Sequence, residues 1–201
     1  MPDLSQTAPA TFPLMGGLVL NKSTFAMQPG EALELVNFEP DINGGYRRIN
    51  GFVKYNTNVV PQTSASTEEV LLSCIFNDKI VAARGEKIFT ASAGSGSWTE
   101  RDSGRTSAGV YTFERFNFDG NDKLIVVDGN NAPAVFVSDF TKTTVSESTV
   151  SGAKFVTAFK DHMFYAGMSA NKQEIVFSIP FDEDNFSAAI GAGSIKVDDT
   201  I

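Results

Sequence analysis

The chain has one cysteine, one histidine and one tryptophan among 201 residues. Cys74 therefore has no internal disulfide partner, and its setting in VLLSCIF marks a buried thiol that behaves as a small hydrophobe. His162, the only histidine, excludes histidine-rich zinc sites and leaves one candidate for a Ser-His-Asp arrangement. Basic residues are also few: 16 Lys and Arg against 24 Asp and Glu give a formal net charge of -8. Such a chain repels phosphate backbones as a whole, so no sequence-specific nucleic-acid partner is expected. No apolar run approaches the roughly 18 residues of a membrane span, and MPDLSQTAPATFPLMGGLVLNK has no basic-then-apolar leader pattern. Neither a membrane partner nor secretory targeting is expected. Glycines in phosphate-loop or dinucleotide patterns between a strand and a helix are missing, so no cofactor is expected. Helical periodicity is missing as well. The best helix candidate is 30–38 (GEALELVNF), after Pro29, and even there Leu33 and Leu35 alternate with Glu34 and Val36.

What remains is β signal. Phe and Gly each number 17, hydrophobic residues make up 42%, and the apolar runs are short and bounded by Asn, Asp, Gly and Ser, which supports a globular all-β chain with a real core. The chain also repeats itself. Residues 70–92, 111–139 and 154–178 each read as strand, tight polar turn, strand, Gly-containing turn, strand. The first turn carries Asn77-Asp78-Lys79, Asn121-Asp122-Lys123 or Lys160-Asp161-His162, and the three Asp stand 44 and 39 residues apart. His162 takes the slot of Lys79 and Lys123. A period near 40 with several short antiparallel strands per copy predicts blade-like units of a β-propeller. A closed propeller needs at least four blades. With three visible and a strand-like end at Ile201, the expectation is a partial propeller, either truncated or completed from elsewhere.

Ahead of the repeats, residues 1–61 contain no copy of the unit and hold six of the eight prolines, with Gly-Gly at 16–17 and 44–45. They read as an extended arm, mobile over 1–12, with one or two strands and a reversal at 40–45 between 33–39 and 46–55; residues 62–69 read as a linker. In a strand after that reversal, Tyr46, Arg48 and Asn50 face one side and Arg47, Ile49 and Gly51 the other. One arginine is then placed to pair with Glu39 or Asp41, and the other to meet a carboxylate on a neighbouring subunit.

Gly16 to Leu18, Pro29-Gly30, the Asn-Phe-Glu-Pro-Asp segment from Asn37 to Asp41, and Gly-Tyr-Arg-Arg-Ile-Asn-Gly-Phe from Gly45 to Phe52 carry a resemblance. This run of about 40 residues resembles the N-terminus of tailed-bacteriophage virion structural proteins, most closely those of myoviruses infecting cyanobacteria. More distantly, the order of features is similar to the start of propeller-containing tail nozzle proteins of short-tailed phages. The resemblance implies assembly rather than catalysis. It predicts a virion component of the tail, neck or baseplate region, homo-oligomeric there and bound to other tail, neck or baseplate proteins. The subunit contact is expected at Phe38, Tyr46, Arg47 and Arg48.

Three other chemistries compete. Asp182, Glu183 and Asp184 could offer oxygens to calcium, but the spacing and glycine of an EF-hand are missing and a solvated turn is the expectation. GSGSW at 94–98 approaches the Ser-x-Asp-x-Gly-x-Thr-Trp turn of sialidase-type propellers, yet Ala93 and Ser95 stand at its two diagnostic positions. The run is better read as a flexible blade loop with Trp98 docked on the blade. The alternative function is a carbohydrate-binding or glycan-cleaving module for host-surface recognition, with Trp98, Phe181 and Phe186 as its aromatic platform.

Overall fold

Tight two-residue reversals set the architecture of the repeats. In the first and third, Asn77-Asp78 and Lys160-Asp161 all adopt positive φ (43° and 58°, 47° and 66°), the type I′ geometry whose twist matches that of the strands it joins. The computed structural model describes residues 16–63, 68–118 and 120–197. The arm expected at 1–12 and residues 64–67 of the expected linker lie outside the described residues. The chain divides into two units between Val53 and Lys54.

In the first unit, β1 (Gly17–Leu18) pairs in parallel with β2 (Glu31–Ala32), and β3 (Phe38–Pro40) pairs antiparallel with β4 (Tyr46–Arg48). A single 3₁₀ turn, Thr24–Ala26, lies between β1 and β2. The helix candidate at 30–38 is not formed. Gly30 takes φ 91° and Asn37 φ 62°, and left-handed residues at both ends cut the stretch into two short strands.

The second unit contains three four-stranded antiparallel sheets, each a meander in chain order. Sheet I comprises β5 (Val70–Phe76), β6 (Lys79–Arg84), β7 (Lys87–Ala91) and β8 (Thr99–Asp102). Sheet II comprises β9 (Thr112–Phe118), β10 (Asn121–Val127), β11 (Ala134–Val137) and β12 (Lys142–Thr144). Sheet III comprises β13 (Phe155–Phe159), β14 (His162–Ala166), β15 (Glu174–Phe177) and β16 (Gly193–Lys196). No α-helix occurs among the described residues.

Strand pairing corrects the register of the repeat. Phe118 pairs with Asn121, so the second hairpin reverses ahead of Asn121, where Gly120 takes φ 78°, and Asn121 and Asp122 lie inside β10. The shared Asn-Asp-Lys triplet is therefore not equivalent in the two copies: Asn77 and Asp78 form the first reversal, whereas Asn121 and Asp122 are paired within β10. The equivalent residues are the strand-ending Phe76, Phe118 and Phe159, which pair with Lys79, Asn121 and His162 and stand 42 and 41 residues apart. His162 thus matches Asn121, not Lys123.

Alternation along the strands builds two cores. Leu72, Phe76, Val81 and Ile88 of sheet I meet Leu124, Val126, Phe136 and Phe140 of sheet II. The opposite side of sheet II, with Phe118, Ile125 and Val135, meets Val156, Met163, Tyr165 and Val176 of sheet III. Sheet II is covered on both faces, and its β10 reads LIVV without alternation for that reason.

Cys74 is buried in the first core, and burial pushes its thiol up to about 11 against the smaller opposing pull of Arg115. Thiolate is scarce at neutral pH as a result. A thiol reagent at pH 7.5 is expected to leave Cys74 unmodified in the folded chain and to label it fully in denaturant, which intact mass spectrometry reads directly.

Residues 54–63 belong to the second unit and are tied to sheet I. Asn56 donates to the Ser92 and Gly96 carbonyls (2.8 and 2.7 Å), Trp98 Nε1 donates to Asn58 O (2.9 Å), and Arg84 donates to Val60 O. The Gly-Ser loop before Trp98 is a clasp for this segment.

Candidate functional site

The four residues expected at a subunit contact all lie in the β3–β4 hairpin. Its loop is made by Asp41, whose carboxylate accepts from Asn43 N (2.8 Å) and whose carbonyl accepts from Gly44 N (3.0 Å), with Gly44 and Gly45 at φ 89° and 85°. Register places Phe38 opposite Arg48 and Glu39 opposite Arg47. Arg47 is the arginine that pairs across the hairpin, 2.7 Å from Glu39 and 4.0 Å from Asp41. Exposed as it is, this pair contributes little to folding. Arg48 is exposed and has no charged partner among the described residues, and Phe38 opposite it is exposed as well.

Tyr46 turns the other way. Its hydroxyl lies 2.7 Å from Gly30 O and 2.9 Å from Gly17 O, where its one proton is shared between the two carbonyls. It ties the hairpin to the β1–β2 pair. Gly16 N donates to Gly30 O and Lys22 pairs with Glu31 at 2.6 Å, so this unit is ordered by polar ties. Its apolar side chains are not buried: among residues 16–53 every side chain is half-buried or exposed, and Phe25 and Ile42 are 100% exposed.

The densest chemistry in the second unit is an ionic network that sequence reading missed. Asp102, at the end of β8, bonds Arg105 Nε (2.6 Å) and Lys142 Nζ of β12 (2.5 Å). Asp128, at the end of β10, bonds Arg105 Nη1 (2.7 Å), both backbone amides of Asn130 and Asn131, and the Asn131 side chain. Arg105, Asp102 and Asp128 are all buried. Burial alone raises the Asp128 carboxyl, but the Asn131 and Asn130 hydrogen bonds and the Arg105 charge outweigh it and hold the group below its ordinary value. Burial alone lowers the guanidinium, and the two carboxylates more than offset that. The network is neutral, with two cations and two anions, and every carboxylate oxygen in it has a donor. The arrangement joins sheet I to sheet II. Nearby, burial pushes the Tyr111 hydroxyl up to about 12.

The other candidate chemistries are dispersed by the fold. Asp182 caps its own turn by accepting from Asp184 N (3.1 Å), Asp184 accepts from Ser146 N (2.6 Å), and Glu183 pairs with Lys123 of sheet II (2.5 Å). The three acids point to three different partners, and no metal-binding group of three or more such residues occurs among the described residues. His162 Nδ1 lies 2.6 Å from Ser178 O, a carbonyl that only accepts, so this nitrogen carries the proton. Trp98 is engaged with Asn58, Phe186 packs on Tyr165 (5.8 Å), and Phe181 alone of the three platform aromatics is exposed.

No family model, curated protein or solved structure matches the chain.

Proposed function

We propose that the chain is a structural component of a bacteriophage virion, in the tail, neck or baseplate region, which assembles through its N-terminal arm and a body of propeller-like blades. The observation that carries this reading is the contrast between the two units. Residues 54–197 bury two apolar cores, whereas residues 16–53 form a hairpin pinned by polar ties and leave Leu20, Phe25, Ile42 and Phe52 in solvent. A segment with fixed turns and no core of its own has its apolar complement in another subunit. The resemblance of this same segment to phage virion proteins supports the reading independently of burial. The propeller element rests on three four-stranded meanders in which consecutive sheets meet face to face. The partners are other tail, neck or baseplate proteins and further copies of this chain; the role needs no catalysis and no cofactor, and the chain resides in the virion. A glycan-recognition role has less support, since two of its three platform aromatics are engaged within the fold.

Charge reversal tests the reading. Arg47→Glu adds a third acid beside Glu39 and Asp41, and Arg48→Glu reverses the charge opposite Phe38. Each variant is expected to melt within about 2 °C of the parent, because surface substitutions cost little, and to be lost from purified particles on immunoblots. Normal incorporation of both variants would refute the arm as the point of attachment.

A further inference from the structure

Two asparagines of the chain are followed by glycine, in Asn43-Gly44 and Asn50-Gly51, and both pairs lie in the first unit. Glycine has no Cβ to crowd its own nitrogen, so the preceding side-chain amide lies open to attack from the backbone. Both pairs are exposed, but the structure holds them differently.

At Asn43-Gly44 the attacking nitrogen is committed. Gly44 N donates to Asp41 O at 3.0 Å, Asn43 N donates to the Asp41 carboxylate at 2.8 Å, and Asp41 N donates to Gly45 O at 3.0 Å. This loop fixes Gly44 at φ 89°. The carboxylate bonded one residue away also disfavours the anion that forms when an amide nitrogen loses its proton. Asn50-Gly51 has none of these restraints. The hairpin ladder closes with Ile49 N donating to Asn37 O at 3.0 Å, and beyond it neither Asn50 nor Gly51 has a hydrogen-bond partner among the described residues. A Cβ built at Gly51 would meet nothing within 4 Å. The only charged residues between 42 and 67 are Arg47, Arg48 and Lys54, all cations, which favour the anion.

We propose that Asn50 is a self-modification site, at which the unassembled arm converts a neutral amide to a carboxylate. The Gly51 nitrogen, having lost its proton, attacks Asn50 Cγ. The Cγ–Nδ2 bond breaks, ammonia leaves with a proton, and a succinimide ring closes. Water then opens the ring at either carbonyl, giving aspartate or an isoaspartate whose main chain runs through the former side chain. Water is the only co-reactant, and each conversion adds one negative charge to a net -8. That charge arises two residues from Arg48, where it competes for the guanidinium with the partner carboxylate expected there. A subunit therefore loses competence to attach as it ages before assembly, a consequence that rests on the function proposed above.

The test is peptide mapping by mass spectrometry on the full chain, sampled over days near neutral pH. Each conversion adds about 1 Da. Conversion at Asn50 is expected to run at least about fivefold faster than at Asn43, whose nitrogen must first leave its hydrogen bond. It is expected to be faster at pH 8 than at pH 6, because the attacking amide must be deprotonated. Gly51→Ala puts a methyl group beside the nitrogen where the fold has room, and is expected to slow conversion by about tenfold with the melting temperature unchanged. Equal rates at the two asparagines, no conversion at Asn50 in the folded chain, or a Gly51→Ala chain that converts as fast as the parent overturns the site. Attachment is scored apart from the chemistry, by immunoblots of purified particles. Freshly prepared Asn50→Asp is expected to enter particles less well than the parent and Asn50→Gln as well as the parent; normal entry of Asn50→Asp overturns the consequence for attachment and leaves the mapped site standing.

Discussion

Replacing Arg105 with Ala is expected to destabilise the isolated chain by about 3–5 kcal/mol, the range for removing one partner of a buried ion pair. Among the described residues the guanidinium alone bonds both Asp102 and Asp128, at 2.6 and 2.7 Å, and its removal strips a cation from two buried carboxylates at once. Lys142 still neutralises Asp102, but Asp128 keeps only neutral donors. Against a typical domain stability of about 5–15 kcal/mol the loss is a large fraction, and it lowers the melting temperature by roughly 10 °C for a chain of this size. Urea melts of the parent and Arg105→Ala measure it, and a difference under about 1 kcal/mol would mean that the network is incidental.

The same network predicts a pH dependence. Asp128 titrates below its ordinary 3.8 in the folded chain, so its contribution is complete above that value and is lost as pH falls through the lower folded value. In Arg105→Ala, acid instead relieves a buried charge. The gap between parent and variant is therefore expected to be wide at pH 7 and narrower near pH 4.

Phe140→Ala has the second large expected effect, about 3–5 kcal/mol. Phe140 reaches from the β11–β12 turn of sheet II into the core with sheet I, edge-on to Phe76 at 5.6 Å, with Lys79 and Arg101 over its ring at 5.3 and 5.4 Å. Its backbone sits at φ 66°, a region costly for a residue with a Cβ, and the burial of the ring offsets that cost. Alanine keeps the strained backbone, removes the ring and opens a cavity between the sheets. Phe140→Gly relieves the backbone while removing the same ring, so it is expected to be less destabilising than Phe140→Ala. Thermal melts of the two variants separate the terms, and the reverse order would show that the turn conformation is not strained.

The parts of this fold that the sequence displays are those with period-2 burial or a turn dipeptide. VLLSCIF alternates because one face of β5 seats on sheet II, and the three hairpins stand out because polar turn residues interrupt apolar runs. The fourth strands do not show. TERD, KTT and GSIK lie at sheet edges with little to bury, so nothing apolar repeats along them. The Asn-Asp-Lys triplet misled because identity of letters is weaker than the φ requirement of the reversal, which Gly120, at φ 78°, helps to meet ahead of the second triplet. The ionic network was invisible for another reason. Asp102 and Arg105 come from one polar stretch, and Asp128 and Lys142 from two others, and only sheet stacking brings the three together; the one local hint is DGNN after an apolar strand, a capped turn that can bury an aspartate. In the hairpin the pairing of one arginine with Glu39 and Asp41 was legible from alternation, but the tie from Tyr46 to Gly17 and Gly30 was not, since it depends on where β1 and β2 lie.

Backbone hydrogen exchange, followed by mass spectrometry on the isolated chain and on the chain within purified particles, tests the proposed division of labour most directly. The account predicts that peptides from the three sheets are protected in both samples, and that peptides from 16–53 exchange rapidly alone and become protected only in the particle. Equal protection of 16–53 in the two samples would contradict it.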